Sequence, residues 1–224
     1  MTQDFSVIVL AAGASARRQK PKQLLPYLGK TLIEHAARTA LASGAREVIV
    51  VAGADAPAIR EKLKRLPVRL IFNRDWADGI ASSIRCGMDA LGPEVSCAVI
   101  SLCDQPRTTP ELLRDLARRH FETGSPIVAS SYDGVLGAPS AFGSDVFPEL
   151  KSLKGNAGAR DIIRRSTVPV ETLEFPAGNV DIAEPASLPW VLLPETTESP
   201  RDKYLDPTQA RAPPPATDHS SFSA

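Results

Sequence analysis

Short apolar runs separated by helical patterns constrain the fold of this 224-residue chain more than any other feature. Phe5–Leu10, Glu47–Ala52 and Cys97–Leu102 are nearly continuous in apolar and β-branched residues, as strands are when helices cover both faces of a sheet. Between the first two lies Thr31–Ala42, and after the second comes Ala56–Leu66, both with apolar residues at helical spacing. Strand and helix alternate with short links. The sequence therefore predicts an α/β fold with a doubly wound, mostly parallel sheet.

Helix boundaries are marked by local signals. Thr31 with Glu34 three residues later forms a capping-box pattern, and Gly44 follows the expected end of that helix. Thr109 as N-cap and Pro110 at the first helical position open another helix. Further strands are predicted at Val68–Phe72, Pro126–Ser130, Val168–Glu174 and Val180–Ile182, and further helices at Ile80–Leu91, Ser144–Leu150 and from about Asn156 to Ile163.

Two segments depart from this alternation. Glycines and Pro139 interrupt Tyr132–Phe142, which predicts a hairpin or insertion forming a small β-containing lobe over the sheet edge. From Pro194 the composition turns to proline, serine, threonine and charge, with too little apolar surface to offset the entropy of ordering. We expect one domain over residues 1–193 and a disordered tail over 194–224.

Charge and hydropathy exclude several classes of partner. Lysine and arginine number 26 and aspartate and glutamate also 26, so the basic footprint of a nucleic-acid binder is missing. No apolar run approaches the roughly 20 residues that a membrane span needs, and no signal peptide is apparent. The expectation is a cytoplasmic protein that binds neither nucleic acid nor membrane.

The loop after the first strand has the composition of an anion site. Small residues at Ala11–Ser15 allow close backbone approach, and Arg17 and Lys22 can neutralise a phosphate. Neither a Walker A loop nor a G-x-G-x-x-G motif occurs. By spacing alone, an anion-binding loop and an ordinary turn remain equally good interpretations.

Polar side chains follow two later strands. The loop Asn73–Gly79 leads into a helix with Ser82 and Ser83 in its first turn, where oxygens and N–H groups can meet a ligand. Asp104 follows the strand Cys97–Leu102 and could hold Mg²⁺ or could equally turn the chain or cap the next helix. Asp181 is a second metal candidate, although position alone favours an ordinary turn aspartate.

Covalent catalysis is not indicated. No G-x-S-x-G motif is present, and no cysteine has a base beside it in the sequence. His35 and His120 lie in predicted helices without other metal-binding residues at suitable spacing, so a structural role is the simpler interpretation. Trp76 is interpreted as a packing residue rather than a platform for a base.

In their order along the chain, these motifs resemble those of nucleotidyltransferases that build nucleotide-conjugated cofactors, most closely the molybdenum cofactor cytidylyltransferases. The resemblance covers about residues 7–188. The matching segments are Leu10–Arg17, Lys22–Pro26, Asn73–Ser83, Leu102–Pro106, Gly134–Pro139, Gly155–Arg160 and Val180–Ile182.

The resemblance implies roles for individual residues. The nucleotide-binding residues would be Leu10, Ala11, Ala12, Gly13, Lys22, Asn73, Gly79, Ser82 and Ser83. The catalytic residues would be Arg17, Lys22 and Asp104. Asp104 and Asp181 would hold Mg²⁺, and the segments Gly134–Pro139 and Gly155–Arg160 would line the pterin-phosphate side.

The implied reaction is transfer of CMP from CTP to the terminal phosphate of molybdopterin cofactor with release of pyrophosphate. The Leu-Ala-Ala-Gly sequence ending at Gly13 looks like the cytidylyl branch, whereas the guanylyl branch usually has Leu-Ala-Gly-Gly. CTP is therefore expected over GTP. A recipient molybdoenzyme would be a further partner.

The chain departs from the family pattern in four places. Arg18-Gln19 stands where Met-Gly is usual, Asn156 stands where aspartate is common, and Ala183 and Ser187 stand where acidic residues are usual. Two other functions stay open: a nucleotidyltransferase for another phosphorylated acceptor, such as a sugar or polyol phosphate, and a non-catalytic chaperone that binds the cofactor. Gln19, Asn156 and Ala183 favour the chaperone.

Overall fold

The computed structural model describes residues 4–14 and 21–179. The predictions for Arg17, Gln19, Asp181, Ala183 and the tail 194–224 concern residues outside these ranges and stay predictions. None of the helices within the two ranges is long and apolar enough to cross a membrane.

Strands and helices alternate along most of the described chain. The strands are β1 (Ser6–Ala11), β2 (Pro26–Tyr27), β3 (Lys30–Thr31), β4 (Glu47–Ala52), β5 (Arg69–Phe72), β6 (Cys97–Leu102), β7 (Ile127–Tyr132), β8 (Val135–Gly143) and β9 (Val170–Glu174). The helices are α1 (Leu32–Ala42), α2 (Ala56–Leu63), α3 (Ile80–Asp89), α4 (Pro110–Thr123), α5 (Phe147–Ser152) and α6 (Ala159–Arg165). Short 3₁₀ turns lie at Lys22–Leu24, Trp76–Asp78, Ser144–Val146 and Pro176–Asn179.

Seven strands form one sheet in the order β5-β4-β1-β6-β8-β7-β9. The first four are parallel to one another, and β7 and β9 are parallel to each other. Only β8 runs antiparallel to its two neighbours, while β2 and β3 pair as a separate ribbon. The predicted α/β fold with a mostly parallel sheet is confirmed.

The position of β8 differs from the prediction of a lobe over the sheet edge. The segment lies inside the sheet, between β6 and β7, with Ala141 and Phe142 fully buried. The register with β7 shifts after Ala129, so that Pro139 stands outside the regular ladder, as a residue without an N–H donor requires. The hydroxyl of Ser130 donates to the Pro139 carbonyl at 2.6 Å.

The central strands are covered on both faces, as doubly wound sheets are. In β1, Val7 and Val9 belong to a core that includes residues of α1, α2 and α4. The alternate residue Ile8 belongs to a second core with residues of α3, α5 and α6. Because β1 is buried on both sides, its carboxyl end is held rigidly where the following loop begins.

The predicted capping signals are confirmed. The Thr31 hydroxyl accepts from Glu34 N at 3.4 Å, and the Glu34 carboxylate accepts from Thr31 N at 3.0 Å. Thr109 accepts from Leu112 N at 3.2 Å and begins α4. The helices α2 and α3 end earlier than the predicted limits of Leu66 and Leu91.

Candidate functional site

A cleft opens at the carboxyl ends of the parallel strands β1 and β6, where ligands bind in open α/β sheets. Its volume is about 230 Å³. The lining residues are Leu10, Ala11, Ala12, Gly13, Lys22, Gln23, Trp76, Gly79, Ile80, Ser83, Leu102, Cys103 and Asp104. Most of the nucleotide-binding residues predicted in the described ranges are thus brought together; Asn73 and Ser82 are not part of the lining.

Lys22 and Asp104 form an ion pair in the cleft. Lys22 opens the 3₁₀ turn after Pro21, and Asp104 follows the end of β6 by two residues. The side chains are 30% and 14% exposed, so both keep a face toward solvent. The described part of the cleft therefore holds a cation suited to a phosphate and a carboxylate suited to a divalent metal.

Asp104 does not cap the helix that follows it. The cap of α4 is the Thr109 side chain, which leaves the carboxylate to the cleft. Within residues 4–14 and 21–179, no group of three or more histidine, cysteine, aspartate or glutamate residues is placed to hold a metal. A metal at Asp104 would thus take its other ligands from substrate, water or residues outside these ranges.

Asn73 and Ser82 hold the loop after β5 in place. The Asn73 amide donates to the hydroxyls of Ser82 at 2.8 Å and Ser83 at 3.1 Å, and its oxygen accepts from Asp75 N at 3.0 Å. Asn73 and both serines are buried. The three side chains join the loop to the first turn of α3. Gly79 and Ser83 are the residues of this loop and turn that, with Trp76 and Ile80, line the cleft.

Gly79 brings a second loop against the cleft. Its φ of +100° belongs to a region that favours glycine. A Cβ at this position would lie 2.4 Å from the Gly155 carbonyl oxygen and 2.5 Å from Asn156 Oδ1. The Ala81 amide donates to the same Gly155 oxygen at 3.1 Å. The Gly155–Arg160 segment therefore begins directly beside the wall of the cleft that Gly79 forms.

Trp76 is a cleft residue that the sequence interpretation placed in packing alone. It is half-buried and lines the cleft. Gly53 explains its position, because a Cβ there would lie 2.7 Å from Trp76 Cβ and 2.4 Å from the Ala12 carbonyl oxygen. The tryptophan can approach the loop after β1 only because Gly53 has no side chain. The sequence does contain a signal for this position, because Trp76 is an aromatic residue inside a polar loop that follows a strand.

The two segments predicted on the acceptor side also meet. The Arg160 guanidinium donates to the Tyr132 hydroxyl at 3.2 Å. A Cβ at Gly137 would lie 2.6 Å from that hydroxyl and 3.2 Å from Arg160 Nη2. The Gln105 amide, beside Asp104, donates to Ala138 O at 3.0 Å. These contacts connect the loop that carries Asp104 to the Gly134–Pro139 and Gly155–Arg160 segments.

Among the histidines and cysteines of the described chain, Cys103 is the one that lines the cleft. His35 bonds to the Pro106 carbonyl at 2.9 Å, and burial lowers its pKa. His120 bonds to the Ser125 carbonyl at 2.7 Å. Burial, together with the charge of Asp104, raises the pKa of the Cys103 thiol far above its ordinary value. The thiol next to the ion pair is therefore protonated and inert at neutral pH.

Residues 7–170 match the family described as the MobA-like NTP transferase domain. The chain belongs to this family. The match covers the strands of the cleft and both loops that carry Lys22 and Asp104, and it confirms the resemblance to molybdenum cofactor nucleotidyltransferases at the level of the family. The protein is a nucleotidyltransferase.

Relatives of known name differ in activity. The chain is 36% identical over 174 residues to the nicotine blue oxidoreductase of Paenarthrobacter nicotinovorans, covering 75% of this chain and 85% of that protein. It is 29% identical over 137 residues to a probable molybdenum cofactor guanylyltransferase of Bacillus anthracis, covering 60% of this chain and 67% of that protein.

Solved structures share the fold over most of the chain. The Rv0371c protein of Mycobacterium tuberculosis superposes with a TM-score of 0.75 at 28% identity, covering 84% of this chain and 98% of that one. A second structure of that protein is a complex with manganese. A nucleotidyl transferase from Methanothermobacter gives a TM-score of 0.73 at 26% identity, covering 84% and 96%.

Proposed function

We propose that this nucleotidyltransferase transfers CMP from CTP to the terminal phosphate of molybdopterin cofactor and releases pyrophosphate. The observation that carries the proposal is the ion pair of Lys22 and Asp104 at the end of the small-residue loop after β1. A cation for phosphate and a carboxylate for a divalent metal stand together at one edge of the sheet. That arrangement suits a metal-bound nucleoside triphosphate.

The chemistry needs positioning and charge neutralisation more than proton transfer. An oxygen of the acceptor phosphate attacks the α-phosphorus of CTP, a new P–O bond forms, and the bond from the α-phosphorus to the bridging oxygen of pyrophosphate breaks. A terminal phosphate with a second pKa of about 6 is mostly a dianion at neutral pH, so no general base is required. Lys22 neutralises charge on the triphosphate and on the departing pyrophosphate. The absence of a suitable histidine in the described cleft is consistent with this reaction.

Asp104 fits the metal that such a reaction uses. Magnesium prefers oxygen ligands and is often held by one or two carboxylates plus substrate phosphates, and Asp104 is the cleft carboxylate among the lining residues. When bound, the ion supplies positive charge at the phosphates. Asp181 is proposed as a second ligand on the resemblance, and so is the preference for Mg²⁺.

Ala12 supports CTP over GTP. It is buried, and its Cβ would lie 2.9 Å from a Cβ built at Gly53, so its methyl group fills space between the loop and the neighbouring strand end. A glycine at position 12 would remove this methyl group from the lining of the cleft. The preference for cytosine itself is proposed on the resemblance, from the Leu-Ala-Ala-Gly sequence that ends at Gly13.

The decisive experiment is a matrix of nucleotides and acceptors with pyrophosphate release as the measurement. CTP with molybdopterin cofactor and Mg²⁺ is expected to give the fastest release, and the nucleotide-linked cofactor should form in equal amount. Faster release with a sugar or polyol phosphate would replace the acceptor, and faster release with GTP would replace the nucleotide. Tight cofactor binding without release from any nucleotide would favour the chaperone.

Oxidation–reduction is a second candidate, and the 36% identity to a nicotine blue oxidoreductase favours it. In this case the cleft would hold a nicotinamide dinucleotide as the hydride donor. The measurement is loss of the reduced nicotinamide absorbance when nicotine blue is added to the protein with NADH or NADPH. Turnover in this assay, with none in the pyrophosphate assay, would reverse the order of the two candidates.

A further inference from the structure

Gln23 is a buried cleft residue to which the proposed reaction gives no role. It is 1% exposed and lies in the 3₁₀ turn directly after Lys22. Its Nε2 donates to the carbonyl oxygens of Ala11 at 3.0 Å and Gly13 at 2.7 Å. One side-chain amide therefore holds the loop after β1 at two points, on either side of Ala12.

These contacts fix the orientation of the amide. Carbonyl oxygens only accept hydrogen bonds, so the group facing Ala11 and Gly13 has to be the NH₂. Turning the amide over would place an oxygen against two other oxygens. The Gln23 Oε1 is itself buried without a partner among the residues that the structure describes. Since an unpaired buried acceptor costs stability, the two donated bonds are what the amide contributes here.

Gln23 completes a set of four successive backbone carbonyls that are all hydrogen-bonded within the protein. The first, of Leu10, accepts from Cys103 N at 3.2 Å, and the third, of Ala12, accepts from Ala54 N at 3.3 Å. The second and the fourth accept from Gln23. All four oxygens thus have protein donors, although nothing in a short loop of alanine and glycine requires this.

The backbone N–H groups of the same loop differ from its carbonyls in this respect. Among residues 4–14 and 21–179, the N–H groups of Ala12, Gly13 and Ala14 donate to no backbone carbonyl, and Gly13 and Ala14 are exposed. With four carbonyls engaged by protein and these three N–H groups unbonded within the described ranges, this part of the loop presents partial positive charge to an anion, as backbone nests do. Phosphate oxygens are the acceptors that suit it.

We infer that Gln23 is a positioning residue that sets the polarity of this loop for the triphosphate. The inference rests on the proposed nucleotide-binding function of the cleft. Lys22 supplies a full charge, and the next residue, Gln23, orients the backbone by holding the carbonyls of Ala11 and Gly13. Loss of Gln23 should therefore weaken binding of the phosphates more than binding of the nucleoside.

The test compares two matched variants. Gln23→Met keeps the length of the side chain and removes the donor. Gln105→Met is the control, because the Gln105 Nε2 also donates to two carbonyls, of Ala138 at 3.0 Å and Gly178 at 3.3 Å, and its Oε1 is likewise buried without a partner in the described chain. The two substitutions remove the same chemical group from two different loops.

Isothermal titration with inorganic tripolyphosphate, CTP and CMP provides the measurement. Gln23→Met should bind tripolyphosphate and CTP about tenfold more weakly or worse, with a smaller change for CMP. Gln105→Met should lose similar thermal stability and keep its affinity for tripolyphosphate. Unchanged affinity in a folded Gln23→Met protein, or an equal loss in both variants, would overturn the inference.

Backbone NMR of the unmodified protein keeps the inference testable if Gln23→Met does not fold. On addition of tripolyphosphate, the amide protons of Gly13 and Ala14 should shift downfield and exchange more slowly with solvent. Amides that do not respond would overturn the inference. Tripolyphosphate binding needs no acceptor, so a protein that passes these tests but releases no pyrophosphate would disprove the proposed function and leave the role of Gln23 intact.

Discussion

Lys22 and Asp104 form an ion pair with each other in this structure. A triphosphate attracts the lysine and a divalent cation attracts the carboxylate, so each part of a metal–nucleotide complex can replace one half of the ion pair. The complex as a whole then leaves neither charge unpaired in the half-buried cleft. Binding of nucleotide together with metal should thus be favoured over binding of either part alone.

Replacement of either partner is expected to slow turnover, for different reasons. Asp104→Asn keeps the shape of the side chain and removes the negative charge that would hold the metal, and it should lower the rate of pyrophosphate release at least about a hundredfold. Lys22→Met should lower it about tenfold to a hundredfold through lost phosphate contacts.

The control for these variants is Asp145→Asn, at an exposed carboxylate in the 3₁₀ turn before α5. It should keep the unmodified rate. Full activity in Asp104→Asn would remove Asp104 from the metal site.

Ala12→Gly should change the choice of base. Removal of the buried methyl group beside Gly53 opens space at the cleft wall, and one methyl-sized group in a pocket typically changes selectivity about tenfold or more. The measurement is the ratio of kcat/KM for CTP to that for GTP, which should fall.

Ala14→Gly is the matched control for this prediction. It adds the same backbone freedom at an exposed position in the same loop and should leave the ratio unchanged. An equal fall in both variants would assign the effect to flexibility of the loop.

Single residues were predictable from the sequence where the chemistry is carried by charge or by small size. Lys22, Asp104 and Gly13 were all expected at one edge of the sheet, and the structure brings them together. Gln23 was not predicted as a buried donor, because its two partners are backbone carbonyls, which no side-chain pattern reveals. Asn73, Ser82 and Ser83 were expected to meet a ligand, and this stays a prediction: the Asn73 amide donates to both serine hydroxyls, and of the three residues Ser83 lines the cleft.

At the level of elements, α1 supports the loop that carries Asp104. His35 in α1 bonds to the Pro106 carbonyl and packs edge-on against Tyr27, with ring centroids 4.7 Å apart. Burial lowers the pKa of His35 below its ordinary value of 6.5, the Pro106 bond opposes this, and the nearby Lys30 adds to it. The neutral imidazole is therefore the form that the folded protein favours.

This arrangement predicts a pH-dependent contribution to stability. The pKa of His35 is lower in the folded protein than in the unfolded chain, so below pH 6.5 the unfolded chain binds more protons. The free energy of unfolding should then fall as the pH drops through this region, and His35→Gln should show a shallower fall. Urea unfolding at a series of pH values measures both slopes. Parallel slopes would show that His35 does not contribute.

Elements with local signals were predictable, and those whose place depends on distant pairing were not. The strand, helix and cap positions of the first half follow from apolar spacing and from Thr31, Glu34 and Thr109. The insertion of β8 between β6 and β7 depends on pairing with residues some forty positions earlier in the chain. Pro139, which resembles a break in structure, lies with Ala138 in the bulge at which the register of the strand shifts.

At the scale of the whole molecule, two cores on opposite faces of one sheet hold the cleft at its carboxyl edge. The strands β1 and β6 pair directly, so the strand ends from which the loops to Lys22 and Asp104 leave are held together at the centre of the sheet. A ligand that bridges the two loops therefore stabilises the folded state as a whole rather than one segment.

Metal and nucleotide together should accordingly raise the melting temperature more than the sum of their separate effects. At a concentration of about 100 times the dissociation constant, a ligand adds about 2.7 kcal/mol, or roughly 5 to 10 °C for a domain of this size. Thermal unfolding with CTP, Mg²⁺ and both together measures the effect, and Asp104→Asn should lose only the part that needs both. If CTP alone gives the full increase and Asp104→Asn retains it, the nucleotide binds without the metal and the coupling through the ion pair is wrong.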